Sequence, residues 1–305
     1  MASWGSILRE IKEAGSTRDQ IRRRYLKQLY RVTGRNVIIY YSGWLQKPGV
    51  PGTNLDDADK NGFMNAVHGL DSAKGLDLIL HTPGGETAAT ESVVDYLRSV
   101  FGTNIRAIVP QLAMSAGTVI ACACQEIIMG QQSSLGPIDP VYRGLAAHGV
   151  VEEFKRAFED IKGKGGRIDQ AKAAVWQPII AKYQPTLIGE CEKVSAWSNE
   201  MVVDWLISGM LMWHDDREAK AREIVRELGD HARTKSHARH LSIARCQEIG
   251  LNATALESVP KLEEAVLSVH HAAIHTLAGT GALKIIENHK GEAFISVVPQ
   301  VMVRQ

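Results

Sequence analysis

Two short apolar segments each run into glycines or other small residues and then into a helical pattern. This repeated junction restricts the chain to few folds. The first segment is Leu76–His81, followed by Thr82-Pro83-Gly84-Gly85. The second is Asn104–Pro110, followed by Ala113-Met114-Ser115-Ala116-Gly117-Thr118 and a helix over Ala116–Cys124. Both are apolar without alternation, the pattern of strands covered on both faces. A third strand, Glu126–Met129, leads into Ser133-Ser134-Leu135-Gly136-Pro137-Ile138-Asp139-Pro140. Strands alternating with helices predict an α/β fold around a mainly parallel sheet.

The junctions also carry chemistry. Ser115 falls at a helix start, where free N–H groups and the helix dipole favour negative charge. A serine there serves equally well as a cap, so its meaning depends on its neighbours. Gly84 and Gly85 let backbone N–H groups approach a bound group closely. A nucleophile on one junction and an anion cradle on the next are the parts of an acyl-transfer site.

Taken together, HTPGG at 81–85, AMSAGT at 113–118 and SSLGPIDP at 133–140 resemble the serine dehydrogenase proteinase family. That family lies within the Clp-protease/crotonase-like serine peptidases and is related to signal peptide peptidase A. The resemblance covers about residues 30–290, with Asn36–Tyr41 as first core strand and Ser236–Leu251 as a late strand and short helix. It implies a Clp/crotonase-like superhelix of strand–strand–helix units. An N-terminal helical segment (1–33) would precede a peptidase domain over 34–299, with a helical insertion at about 150–230. It further implies peptide hydrolysis through an acyl-enzyme on Ser115. Backbone N–H groups near Gly85 and of Ala116 would form the oxyanion hole, each worth about 3 kcal/mol, and Gly84 would shape the turn.

The general base is open at this level. Where Clp-type peptidases carry their histidine, this chain has Ile138-Asp139-Pro140. One substitute is a Ser–Lys dyad, as in the signal peptide peptidase A relatives. Lys193, set among Cys191, Val194, Ala196 and Trp197, is the preferred lysine, ahead of Lys155 and Lys182. Burial would have to bring its pKa down from about 10.4. The other substitute is His237, near the place of the Clp-type aspartate, with an ordinary pKa already near neutral. Asp139 could orient either base. His81 faces either the cleft or the sheet. His214 with Asp215-Asp216 lacks a third spaced ligand, and His148 has no partner motif. Neither a metal nor a cofactor is expected.

Two other readings share these motifs: a catalytically inactive scaffold or binding subunit that kept the cleft, and a crotonase-like acyl-CoA enzyme needing no serine nucleophile. For the peptidase, the partners expected are a peptide or protein substrate and other copies of the chain, meeting through the 150–230 helices.

Bulk properties narrow the setting. The 305 residues are 45% hydrophobic with a net charge of +1, so nothing in the charge argues for nucleic acid or an acidic membrane surface, and neither nucleic acid nor membrane insertion is expected. Arg22-Arg23-Arg24 reads as the wet face of an amphipathic helix. Four cysteines, Cys122, Cys124, Cys191 and Cys246, form no CxxC and fit a reduced, cytoplasmic protein. Arg9, Lys12 and Glu13 sit where a secretory leader would be apolar, and the longest apolar stretch, Met201–Trp213, is too short to span a membrane. Further along, the pattern predicts helix over Leu55–Leu70 and Thr87–Phe101, then mostly helix over 150–230 with a break at Gly163–Gly166. It then predicts strand Ala238–Leu241, helices Ser242–Gly250 and Pro260–Leu277, and a hairpin of Leu283–Asn288 with Ala293–Val298.

Overall fold

Successive residues of the central strands alternate between two cores rather than between core and water. Ile38 and Tyr40 join one cluster with Leu78, Leu80, Ala107 and Val109. Val37, Ile39 and Tyr41 join the other with Ile79, Ile108 and Ile128. A strand buried on both faces has no use for polar alternation, which is why its sequence reads as an unbroken apolar run.

The computed structural model describes residues 6, 7, 10, 18–230, 234 and 236–298. Its strands are β1 (Asn36–Ser42), β2 (Leu76–His81), β3 (Ile105–Val109), β4 (Leu112–Ala113), β5 (Glu126–Met129), β6 (Ser134–Leu135), β7 (Val141–Tyr142), β8 (Leu145–Ala146), β9 (Ala253–Ala255), β10 (Ala282–Asn288) and β11 (Ala293–Val297). The main sheet has the order β11-β10-β1-β2-β3-β5-β9. From β1 to β9 its neighbours are parallel, while β10 and β11 close the other edge as an antiparallel pair. Helices Arg18–Thr33 and Pro260–Gly279 pack on one face through Leu26, Leu29, Val266 and Val269. Helices Ala58–Val67, Thr87–Phe101, Ala116–Cys122, Leu187–Ser208 and Arg217–Gly229 cover the other through Phe63, Val93, Val119, Val202 and Ile224. Helix Ala147–Ile161 and the start of Leu187–Ser208 share a separate small cluster of Ala147, Val150, Leu187 and Cys191.

The expected strands and helices are present, with four corrections. The helix expected over Leu55–Leu70 is Ala58–Val67, because Leu55 is held in a loop by its backbone bridge to Gly85. Residues 238–241 form no strand; Leu241 makes a single bridge to Leu135, and the helix that follows is Ile243–Glu248. The sheet gains β9, a three-residue edge strand too short to show a pattern. Arg22 is fully buried, not on a wet face. It donates to Glu287 of β10, to Asp19 and to Thr276, so Arg22 ties the first helix to the far edge of the sheet. Arg9, Lys12 and Glu13 lie outside the described residues. Among the described residues no helix is long and apolar enough to cross a membrane. All four cysteines are buried and unpaired.

One buried feature makes the fold pH-dependent. His81, at the end of β2, is fully buried against Trp44, Tyr41 and His270, with ring centroids 4.4, 5.4 and 5.5 Å away. Neither of its ring nitrogens has a hydrogen-bond partner. Burial pushes its pKa down to about 3. Burial also lowers His270, with smaller contributions from the neighbouring His81 and His271. An unfolded histidine takes up its proton near pH 6.5, whereas folded His81 does not until about pH 3. Stability is therefore lost as the pH falls below neutrality. From His81 alone, the unfolding free energy should drop by roughly 2 kcal/mol between pH 7 and pH 5. Denaturant titrations at the two pH values should show this loss, and His81→Phe should reduce it. An unchanged pH dependence in the variant would refute the assignment.

Candidate functional site

Past the carboxyl ends of β2, β3 and β5 the chain continues into short backbone bridges that cross the end of the sheet. The Thr82 N–H donates to Leu112 O at 3.0 Å, and the Met114 N–H donates back to Thr82 O at 3.0 Å. β4 pairs in parallel with β6, Leu112 with Ser134 and Ala113 with Leu135. Leu135 and Leu241 then exchange N–H···O bonds of 3.1 and 2.9 Å. One strip thus connects the four segments bearing Gly84–Gly85, Ser115, Asp139 and His237. The carboxyl end of a parallel sheet is where such folds bind their ligands.

Ser115 sits at the turn between β4 and helix Ala116–Cys122, half-buried, with φ 49° and ψ −113°. A non-glycine residue in that region carries about 1–3 kcal/mol of strain. Its hydroxyl makes no capping bond, so the cap reading loses its one observable. The strained strand-to-helix turn is the arrangement that exposes a nucleophilic oxygen.

The two glycines are required for different reasons. Gly84 has φ +112°, and a Cβ there would lie 2.6 Å from the Ser115 Cβ. A Cβ on Gly85 would lie 2.2 Å from Leu55 O. The Leu55 N–H donates to Gly84 O at 2.9 Å, and the Glu86 N–H donates to Leu55 O at 3.0 Å. Successive peptide groups of an extended segment point in opposite directions, so the Gly85 N–H is turned away from Leu55. Gly85, Ser115 and Ala116 line one cleft, walled further by Thr90, Val119, Ile138, Ser198 and Met201.

Asp139 lies between Ile138 and Pro140, both of which line that cleft. Its side chain is 1% exposed, and Oδ1 is 2.8 Å from His237 Nδ1. A carboxylate only accepts, so Nδ1 donates, and in the neutral imidazole Nε2 then has the free lone pair. The second oxygen, Oδ2, is buried without a partner. Thr118 braces the turn that carries Asp139: its hydroxyl donates to Ala113 O and accepts from the Gly136 N–H, each at 2.9 Å.

The structure gives Lys193 a different setting from the enclosed one expected of it. Its side chain is 76% exposed and pairs with Glu190 one turn earlier, at 3.1 Å. Lys155 and Lys182 are exposed as well. The apolar neighbour Cys191 turns inward from the same helix, which a helical pitch allows two residues away. His81 packs into the sheet layer and His214 shares a 2.9 Å hydrogen bond with Lys220 at the surface. His148 lies 4.0 Å from both Glu152 and Asp230. The sequence reading overlooked Lys284, buried within β10, and Leu55, whose backbone meets Gly85. A lysine inside the apolar run Ala282–Asn288 was the available signal for the first.

The chain belongs to the ClpP-like SDH-type serine proteinases: the profile of that family matches residues 14–179, more than half of its length. The match includes Gly84, Gly85, Ser115 and Asp139, while Lys193 and His237 lie beyond it. An uncharacterised protein of Methanocaldococcus jannaschii is 35% identical over 102 residues, which are 33% of this chain and 35% of that protein. A second uncharacterised protein of the same organism is 26% identical over 235 residues, 75% of this chain and 70% of its own length. The chain therefore spans about a third of the first relative. The seven-stranded mixed α/β architecture fits the Clp/crotonase-like fold, β1, β2, β3 and β5 each being followed by a short crossing bridge and then a helix.

The close approach of Gly84 and Ser115 has a direct test. Gly84→Ala adds a Cβ at a positive φ and at 2.6 Å from the Ser115 Cβ. It should destabilise the protein by more than about 1 kcal/mol, measured by denaturant unfolding. A variant as stable as the parent would contradict this packing.

Proposed function

We propose that this serine proteinase family member hydrolyses peptide bonds through an acyl-enzyme on Ser115. His237 is the general base, Asp139 holds it, and the N–H groups of Gly85 and Ala116 form the oxyanion hole. The observation that carries this reading is the 2.8 Å hydrogen bond between His237 and Asp139, on a segment that borders the Ser115 cleft.

Ser115 Oγ attacks the scissile carbonyl carbon while its proton passes to His237 Nε2. The carbonyl oxygen becomes an oxyanion facing the Gly85 and Ala116 N–H groups, and the helix dipole behind Ala116 adds to their field. Collapse of the intermediate breaks the C–N bond, and His237 returns the proton to the leaving amine. Water then attacks the ester by the same route and frees Ser115. Asp139 is almost fully buried, and an imidazolium forming beside it offsets its charge. The cleft walls at Val119, Ile138 and Met201 are apolar, with the hydroxyl-bearing Thr90 and Ser198. They favour a small uncharged side chain before the scissile bond. Helices Ala147–Ile161 and Gln170–Ile180 expose Phe158, Val175 and Ile179, and supply the contact between copies.

A fluorophosphonate probe, read by intact mass, tests the assignment. Wild type should take one adduct and Ser115→Ala none. Asp139→Asn should slow labelling by about 10²- to 10⁴-fold by spoiling the tautomer, and His237→Gln should do the same. Lys193→Ala should label at the parental rate; a loss in that variant would return the base to lysine. No adduct on folded wild type would move the weight to an inactive scaffold. Activity on acyl-CoA esters surviving in Ser115→Ala would favour the crotonase-like reading. Among peptides, alanine before the scissile bond should be cleaved faster than lysine or glutamate.

A further inference from the structure

The Gly84–Glu86 backbone is held by Leu55, which lies in an irregular loop, so something must hold Leu55. The residues on either side of it meet one buried ammonium group. Lys284 Nζ donates to Asn54 O at 3.0 Å, to Asp56 Oδ2 at 3.0 Å and to Asp59 Oδ2 at 2.9 Å. The Lys284 side chain is 4% exposed and that of Asp59 is fully buried. Asp59 Oδ2 also accepts from the Asp56 N–H at 3.1 Å and from the Tyr40 hydroxyl at 3.0 Å. Ser42 Oγ of β1 donates to Thr53 O at 2.6 Å. The loop is thus fixed at 53, 54, 56 and 59, and Leu55 has no freedom between them.

Burying a lysine is costly unless the surroundings satisfy it. All three donors of Lys284 are taken by residues that flank Leu55 or by Asp59 behind them. The half-exposed Asp56 places the excess negative charge of this trio at the water-facing side. None of the cluster lines the Ser115 cleft. Its effect on chemistry passes through Leu55, whose backbone faces Gly85 with no room for a Cβ between them.

We infer that Lys284 is a positioning residue for the oxyanion hole: through Asn54 and Asp56 it fixes Leu55, and through Leu55 it fixes where the Gly85 N–H points. This rests on the reading of Ser115 as nucleophile and Gly85 as donor. A hydrogen-bond donor shifted by a fraction of an ångström loses much of its value to a developing oxyanion. Lys284→Met keeps the length of the side chain and removes its charge and donors. Asp56→Asn is the milder variant and leaves Lys284 with Asp59.

The experiment follows fluorophosphonate labelling of the full chain over time, together with amide hydrogen exchange across residues 82–87. Lys284→Met should lower the labelling rate constant at least about tenfold, while the fraction labelled at completion stays near that of wild type. The Glu86 amide should exchange faster. Asp56→Asn should show both effects, reduced to a few-fold. Partial unfolding would instead lower the labelled fraction without slowing the rate, and Asp56→Asn then decides. Parental labelling and parental exchange at Glu86 in that folded variant, or in a folded Lys284→Met, would overturn the inference while leaving the hydrolase reading intact. A wild type that takes no adduct at Ser115 would remove both.

Discussion

The hydrogen-bonded strip across the end of the sheet is the constraint on which the rest depends. Parallel strands end with their side chains pointing into two helical layers, and by themselves they bring no loops together. Here β2, β3 and β5 each continue for a few residues, cross the end of the sheet and pair once more. Thr82 pairs with Ala113, Ala113 with Leu135, and Leu135 with Leu241. Four segments widely separated in sequence become adjacent lines of backbone. Their side chains then inherit positions from main-chain geometry, which varies less than packing does.

That strip also explains where strain is tolerated. Ser115 adopts its positive φ because β4 holds the chain before it and helix Ala116–Cys122 holds the chain after it. The Gly117 N–H donates to Met114 O at 2.8 Å and the Val119 N–H donates to Ser115 O at 3.0 Å, closing the turn tightly. The small residues around it are a steric consequence, since Gly84 and Gly117 each lie too close to a neighbour to carry a Cβ. A sequence of small residues around a serine is thus the record of close backbone approach.

Much of this was legible in the chain, and the residues show why the remainder was not. The boundaries of β2, β5 and helix Thr87–Phe101 follow from apolar runs bounded by glycine or charge. The association of Gly84–Gly85 with Ser115 follows from matching junctions on neighbouring strands. Arg22 misled because charge in a helix is ordinarily solvated, and its partner Glu287 lies 265 residues away. Lys193 misled because neighbouring apolar residues do not share its side of the helix. Local sequence reports which residues adjoin along the chain; burial of a charge depends on a partner that only the topology supplies. The partnership of Lys284 with Asp59, 225 residues away, was hidden for the same reason.

The pairing of Asp139 with His237 lies beside one isolated bridge. Leu135 and Leu241 are its antiparallel partners, which brings the two segments together. Asp139 lies four residues after the one and His237 four residues before the other, and their side chains meet at 2.8 Å. In Clp-type peptidases, which this chain resembles, the histidine belongs on the segment after the serine and the aspartate on the later one. Here the two residue types stand on each other's segments. A hydrogen bond between facing positions is indifferent to which strand carries the acid, so the exchange preserves the pair. What it alters is exposure. The aspartate takes the enclosed place, 1% exposed, and the histidine the open one, 30% exposed. In the proposed mechanism the enclosed carboxylate, with one spare oxygen, would orient the imidazole, and the imidazole at the rim would keep access to water for deacylation. No histidine therefore stands at the Clp-type distance after Ser115, and the acid and the imidazole meet because the Leu135–Leu241 bridge brings their segments together.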